Sequence, residues 1–117
     1  MPSERRRWKF RLRHVIDAIQ AIENYTRGMD YAQFGRDSRT VDAVVWKLTV
    51  IGEAARHVPQ EVESAYPAVP WAKMRGMRNQ IVHGYDKVDL ETVWKVVQEH
   101  LPGIVPLLEA VLAQATE

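Results

Sequence analysis

Val41-Asp42-Ala43-Val44-Val45-Trp46-Lys47-Leu48-Thr49-Val50-Ile51-Gly52-Glu53-Ala54-Ala55 decides the fold class. Val41, Val44, Val45, Leu48, Gly52 and Ala55 recur at three- and four-residue spacing, which places them on one stripe of an α-helix. Asp37 or Ser38 stands where an N-cap belongs, and Pro59 limits the helix to about His57. The small residues Gly52, Ala54 and Ala55 leave room for another backbone to come close.

The same period extends outward from this segment. Trp8, Leu12, Val15, Ile16, Ile19 and Ile22 predict a first helix over about 7–27, with Gly28 as its left-handed cap. Asp30 to Phe34 reads as a short helical turn. Between Pro59 and Pro70 three prolines mark a connector in which Gln60 to Ala65 form one or two turns. Pro70 suits a first helical position, and Trp71, Met74, Met77 and Ile81 predict a third long helix near 70–83, stopped by Gly84. Asp89 caps a fourth helix carrying Leu90, Val93, Trp94, Val97 and Leu101, which Pro102 and Pro106 must break or kink. Leu107, Leu108, Val111 and Leu112 continue the stripe. No segment alternates with period two over strand length, so the expected fold is all-α, a bundle of four or five helices with short loops.

With 117 residues the chain reads as one domain, 1–117, with a basic arm over about residues 1–7. Apolar residues are 46% and charged residues 26%, as in ordinary globular proteins. There is no cysteine, and His14, His57, His83 and His100 are too scattered for a helical ligand pair, so neither a metal site nor a cofactor is expected. No apolar run approaches the roughly 20 residues of a membrane span, and no signal peptide is evident, which predicts a cytoplasmic protein. The net charge of +1 conceals a cluster: Arg5, Arg6, Arg7, Lys9, Arg11 and Arg13 lie within nine positions. Such a run can attract a phosphate backbone, although a solvated helix face or a disordered arm is its commoner meaning. Trp8, Trp46, Trp71 and Trp94 fall at or near apolar stripes and read as core or dimer-interface packing rather than base-stacking platforms. Glu53 reads either as an exposed carboxylate or as an interface partner for an arginine.

The segment Arg78-Asn79-Gln80-Ile81-Val82-His83-Gly84-Tyr85 gathers a permanent cation, an amide, an imidazole and a phenol. Residues five apart on a straight helix are separated by about 140° and about 7.5 Å. Arg78 and His83 therefore converge only if the helix ends, and Gly84 supplies that ending, leaving His83 and Tyr85 on the last turn beside a cleft. Without further information the residues also fit a bland reading, in which Arg78 pairs with a carboxylate and His83 follows the helix macrodipole.

The spacing Arg78-x4-His83-x-Tyr85, with Asn79 after the arginine, resembles the signature of HepT-like proteins of the HEPN superfamily. The similarity extends to Arg11 through Ile19, Ile22 to Thr26, Ile51 to Ala55, Tyr66 to Trp71, Gly76 to Asn79, Val93-Trp94 and Leu101-Pro102, covering roughly residues 11–112. The resemblance implies a HEPN-type bundle, a homodimer with two motifs facing one cleft, and metal-independent endoribonuclease activity in a type II or VII toxin–antitoxin system. It further implies a nucleotidyltransferase-fold antitoxin as partner, RNA as substrate and adenylylation of Tyr85. Arg78 and His83 are then the expected catalytic pair, with Asn79 and Tyr85 supporting them or contacting RNA. A non-catalytic HEPN module that engages the same partner or nucleic acid is the alternative.

Overall fold

The structure is a computed structural model that describes residues 7–83 and 87–115. Helix α1 (Trp8–Thr26) buries Leu12, Val15, Ile16, Ile19 and Ile22, the stripe read from the sequence. It stops where Gly28 takes a φ of 78°, the left-handed conformation that glycine adopts at least cost. Helix α2 (Tyr31–Arg36) starts in a reciprocal capping box: the Asp30 side chain accepts from the Gln33 N–H, and the Gln33 side chain accepts from the Asp30 N–H. Asp37 closes α2 and opens α3 (Ser38–Arg56). Its carboxylate accepts from the Thr40 N–H at 3.1 Å and from the Thr40 hydroxyl at 2.8 Å.

Helix α4 (Gln60–Ala65) follows Pro59, and the Trp71 indole N–H donates to the Tyr66 carbonyl at 3.0 Å, fixing the connector to the next helix. The predicted third long helix is two helices, α5 (Trp71–Arg75) and α6 (Met77–Ile81), separated at Gly76. It also ends earlier than expected. Val82 turns extended, with φ −113° and ψ 119°, and β1 (Val82–His83) pairs antiparallel with β2 (Lys87–Val88) in the register Val82 to Val88 and His83 to Lys87. The Asp89 N–H donates to the Ile81 carbonyl at 2.8 Å, and this backbone bond closes the helix before Gly84 is reached. His83 is therefore in a short strand rather than on a last helical turn. This two-residue bridge is too short to leave a period-two pattern.

Helix α7 (Leu90–Lys95) begins at Asp89, whose side chain accepts from the Thr92 N–H and hydroxyl. A single π-helical turn (Val96–His100) joins it to α8 (Leu101–Gln114). Pro102 does not break the run. It has no N–H for the Gln98 carbonyl, and its ring would crowd that carbonyl in a regular helix. The π turn, with the Leu101 N–H bonded to the Val96 carbonyl five residues back, supplies the extra room. The resulting Leu90–Gln114 helix is long and apolar enough to cross a membrane by length and composition, which the proline-divided sequence had not suggested. Val93, Val96, Val97, Leu101, Ile104, Leu108 and Val111 are buried in the bundle, and 33% of the most apolar stretch of this helix is buried in all.

Four rods thus form the bundle: α1, α3, the α5–α6 pair and the α7–α8 run. α3 packs along α1 and against α5 and α6; α8 also packs on α1, and α7 touches α6. The Lys9 ammonium reaches the Ala115 carbonyl, so α1 and α8 run antiparallel. α2 packs on α3, and its fully buried Phe34 meets Trp94 of α7 at 5.1 Å between ring centroids. The fold class is all-α, as expected, with α2 and α4 as short additions.

The Thr40 N–H, followed by the Thr40 hydroxyl, holds the Asp37 carboxyl below its ordinary pKa of 3.8. A lowered pKa means that ionised Asp37 stabilises the folded chain above about pH 3.8, and that this contribution disappears as pH falls through the lower folded value. Urea denaturation midpoints of wild type and Asp37→Asn should accordingly diverge above that pH and converge below it.

Candidate active site

Met77 and Ile81 are buried and set the rotation of α6, which turns Arg78 and Asn79 outward. These two line a cleft of about 150 Å³ with Thr49, Gly52, Glu53 and Arg56 of α3 and Arg75 of α5. Three guanidiniums and one carboxylate therefore border a space of modest size. Such a cationic cluster suits a phosphate or another oxyanion, because arginine presents a planar fork of donors that matches those oxygens.

The cleft depends on Gly52. A Cβ there would stand 3.2 Å from the Arg75 carbonyl oxygen and 3.4 Å from that of Met74, so the missing side chain is what lets α3 approach the end of α5. Arg75 is held from its other side by an ion pair with Glu63 of α4, both side chains being partly exposed. Arg78 and Asn79 are exposed. The break at Gly76 separates Arg75 from Arg78, yet both reach the same cleft.

Of the four expected site residues, Arg78 and Asn79 lie together in this cleft. The backbone of His83 follows in β1, and Tyr85 lies outside the described residues. Arg56, Arg75 and Thr49 were not singled out from the sequence. Arg56 could have been noticed one turn beyond Gly52 and Glu53, but Arg75 acquires its place only when α5 meets α3. Among the described residues, no group of three or more His, Asp or Glu side chains is placed to hold a metal.

The remaining conspicuous residues divide. Trp8 and Trp71 are buried at 3% and 5% exposure, and Trp94 is half-buried beside Phe34. Trp46 is not core: it is 64% exposed, because it stands off the Val41-Val44-Leu48 stripe that α3 buries. Glu53 is exposed. His100 accepts from the Lys73 ammonium at 2.8 Å when its Nδ1 is unprotonated, and His14 stacks on Phe10.

The family model for Ribonuclease HepT-like matches residues 15–111, a span that includes most of α1, all of α3, the cleft and most of α8. The chain belongs to the HepT-like ribonuclease family. A protein named "Probable ribonuclease HepT" from Thermococcus cleftensis is 36% identical over 93 residues, covering 80% of this chain and 84% of that protein. "Putative RNase MJ0125" of Methanocaldococcus jannaschii is 32% identical over 103 residues, 88% of this chain and 89% of its own. "Putative RNase TTE0752" of Caldanaerobacter subterraneus is 26% identical over 101 residues, 86% and 90% of the two chains. No solved structure matches. Relatives of nearly equal length place the whole bundle within the HepT-like family, and their names support ribonuclease activity in it.

Gly52→Ala should widen the separation of α3 from α5 and lower stability by about 1–3 kcal/mol, the usual range for a side chain forced into a packed contact. Chemical denaturation measures this directly; because alanine inside a helix gains about 1 kcal/mol over glycine, a net stabilisation of that size would mean that the helices slide apart without cost.

Proposed function

We propose that this HepT-like chain is a metal-independent endoribonuclease and the toxin of a toxin–antitoxin pair. The observation that carries the reading is the arginine cluster around Arg78 in a chain of a ribonuclease family. In the proposed reaction the ribose 2′-oxygen attacks the adjacent phosphorus and the bond to the 5′-oxygen breaks. The 2′-hydroxyl proton passes to a base, and the departing 5′-oxygen takes a proton, leaving a 2′,3′-cyclic phosphate and a 5′-hydroxyl. His83 is the group of suitable pKa class for proton transfer. Arg78, assisted by Arg56 and Arg75, stabilises the additional negative charge on the phosphorane. Asn79 orients the phosphate or the imidazole. No step requires a divalent ion.

The active form is proposed to be a homodimer in which two Arg78-to-Tyr85 segments border one cleft. The partner is a nucleotidyltransferase-fold antitoxin that transfers adenylate to Tyr85: the phenol oxygen attacks the α-phosphorus of ATP and pyrophosphate leaves. The added phosphodiester charge would be drawn to Arg78 and occupy the place of the RNA phosphate. The rival reading, a non-catalytic module that binds the same partner or nucleic acid, keeps the cluster and lacks cleavage.

Purified protein should cut a defined RNA in the presence of chelator and release cyclic-phosphate ends identifiable by mass spectrometry. His83→Ala should lower the rate at least about 100-fold. Activity that vanishes in chelator and returns with a divalent ion would contradict this mechanism, and RNA binding without cleavage would favour the rival.

Co-expression with the antitoxin should add adenylate masses to wild type and none to Tyr85→Phe. Inhibition by the antitoxin without any mass change would mean that it blocks the cleft by bulk.

A further inference from the structure

Beside the Arg78 cleft, α1 and α3 leave a second groove. It has a volume of about 360 Å³ and is lined by Arg11, His14, Trp46, Thr49, Val50, Glu53 and Ala54. Thr49 and Glu53 border both spaces, so groove and cleft adjoin over the same turn of α3. Trp46 stands in the groove with 64% of its surface exposed, the largest value among the exposed large apolar side chains. On the α1 rim the Arg7 guanidinium lies 5.7 Å from the centre of the Phe10 ring, and Phe10 lies 4.3 Å from the His14 ring, tilted by 55°. Phe10 itself is 45% exposed. Arg7, Phe10 and His14 thus form a chain of contacts, of which His14 lines the groove.

We propose that this groove is a base-stacking subsite for single-stranded RNA, with Trp46 as the platform for a nucleotide adjoining the phosphate held at Arg78. The inference rests on the ribonuclease reading and extends it to where the strand lies. Three observations select RNA over an apolar partner. Arg11 lines the groove from α1, and Arg7 stands at the start of that helix beside Phe10, cations that complement a polyanion. The most exposed ring, Trp46, is flat and can stack on any base, and an arginine close to it adds cation–π attraction. The groove also adjoins the cleft across the Thr49 and Glu53 ridge of α3, so neighbouring nucleotides of one strand can reach both. Glu53, at the junction, is placed to accept from an exocyclic amine of a base and to discourage a phosphate from settling there.

The test uses full-length His83→Ala protein, so that RNA is bound and not cut, with a labelled oligouridylate of about eight nucleotides, a length matched to groove-binding proteins of this kind. Adding Trp46→Ala should weaken binding roughly tenfold, the usual effect of removing one stacking platform. Trp46→Phe should recover most of the affinity, and Tyr25→Ala, an exposed aromatic elsewhere on α1, should bind as the parent does. In the cleaving protein, Trp46→Ala should act on KM more than on kcat, and less on a dinucleotide than on the longer RNA. Unchanged affinity in Trp46→Ala removes the subsite while leaving the ribonuclease reading intact; a parent that binds no RNA removes both. If Trp46→Ala instead shifts the oligomeric state in light scattering, with affinity falling in step, the groove is covered by a second copy of the chain and the RNA assignment is wrong.

Discussion

The approach of α3 to α5 at Gly52 is the constraint on which the site depends. The backbone of α3 comes close enough to the Met74 and Arg75 carbonyls that no Cβ fits without displacement. This contact brings Glu53 and Arg56, one turn on, to the same space as Arg75 and Arg78. The packing that stabilises the bundle thereby also sets the spacing of the cationic groups. The outward set of α6 follows from its buried Met77 and Ile81, which leave Arg78 and Asn79 no other side to occupy. Stability and site geometry meet at α3 and separate at the exposed ends of the arginines.

Much of the fold was legible because its rods have strong apolar periodicity and conventional ends. Asp30, Asp37 and Asp89 cap α2, α3 and α7 with side-chain acceptors, and Gly28 takes the left-handed angle after α1. Three features were not legible. The division at Gly76 preserves the spacing of Met74, Met77 and Ile81, so periodicity continues across it. The Val82–His83 bridge depends on pairing with Lys87–Val88, a tertiary event with no local pattern. The π turn before Pro102 is a way of keeping a helix continuous past a residue that ordinarily stops one.

For the site, Arg78, Asn79, His83 and Tyr85 stood out through their spacing and their resemblance to one family's signature. The cluster around Arg78 did not, because Thr49, Arg56 and Arg75 come from helices far apart in sequence. The core half of the reading of Trp46 fails for a related reason: it neighbours the apolar stripe of α3 but is rotated from it by enough to face outward. The basic character of α1 was visible as composition, whereas its position along the rim of a groove was not. Charge runs acquire meaning only when the helix that carries them is placed beside a site.

On the proposed reading the cleft at Arg78 performs the chemistry, and the bundle supports it without relying on it. Arg78→Ala measures both halves at once, through RNA cleavage in chelator and the urea midpoint of the same preparation. Loss of one such electrostatic group should lower kcat/KM by about 100-fold or more. Because Arg78 is exposed, the midpoint should stay within the small change expected of a surface substitution. Undiminished cleavage by folded Arg78→Ala would contradict the account.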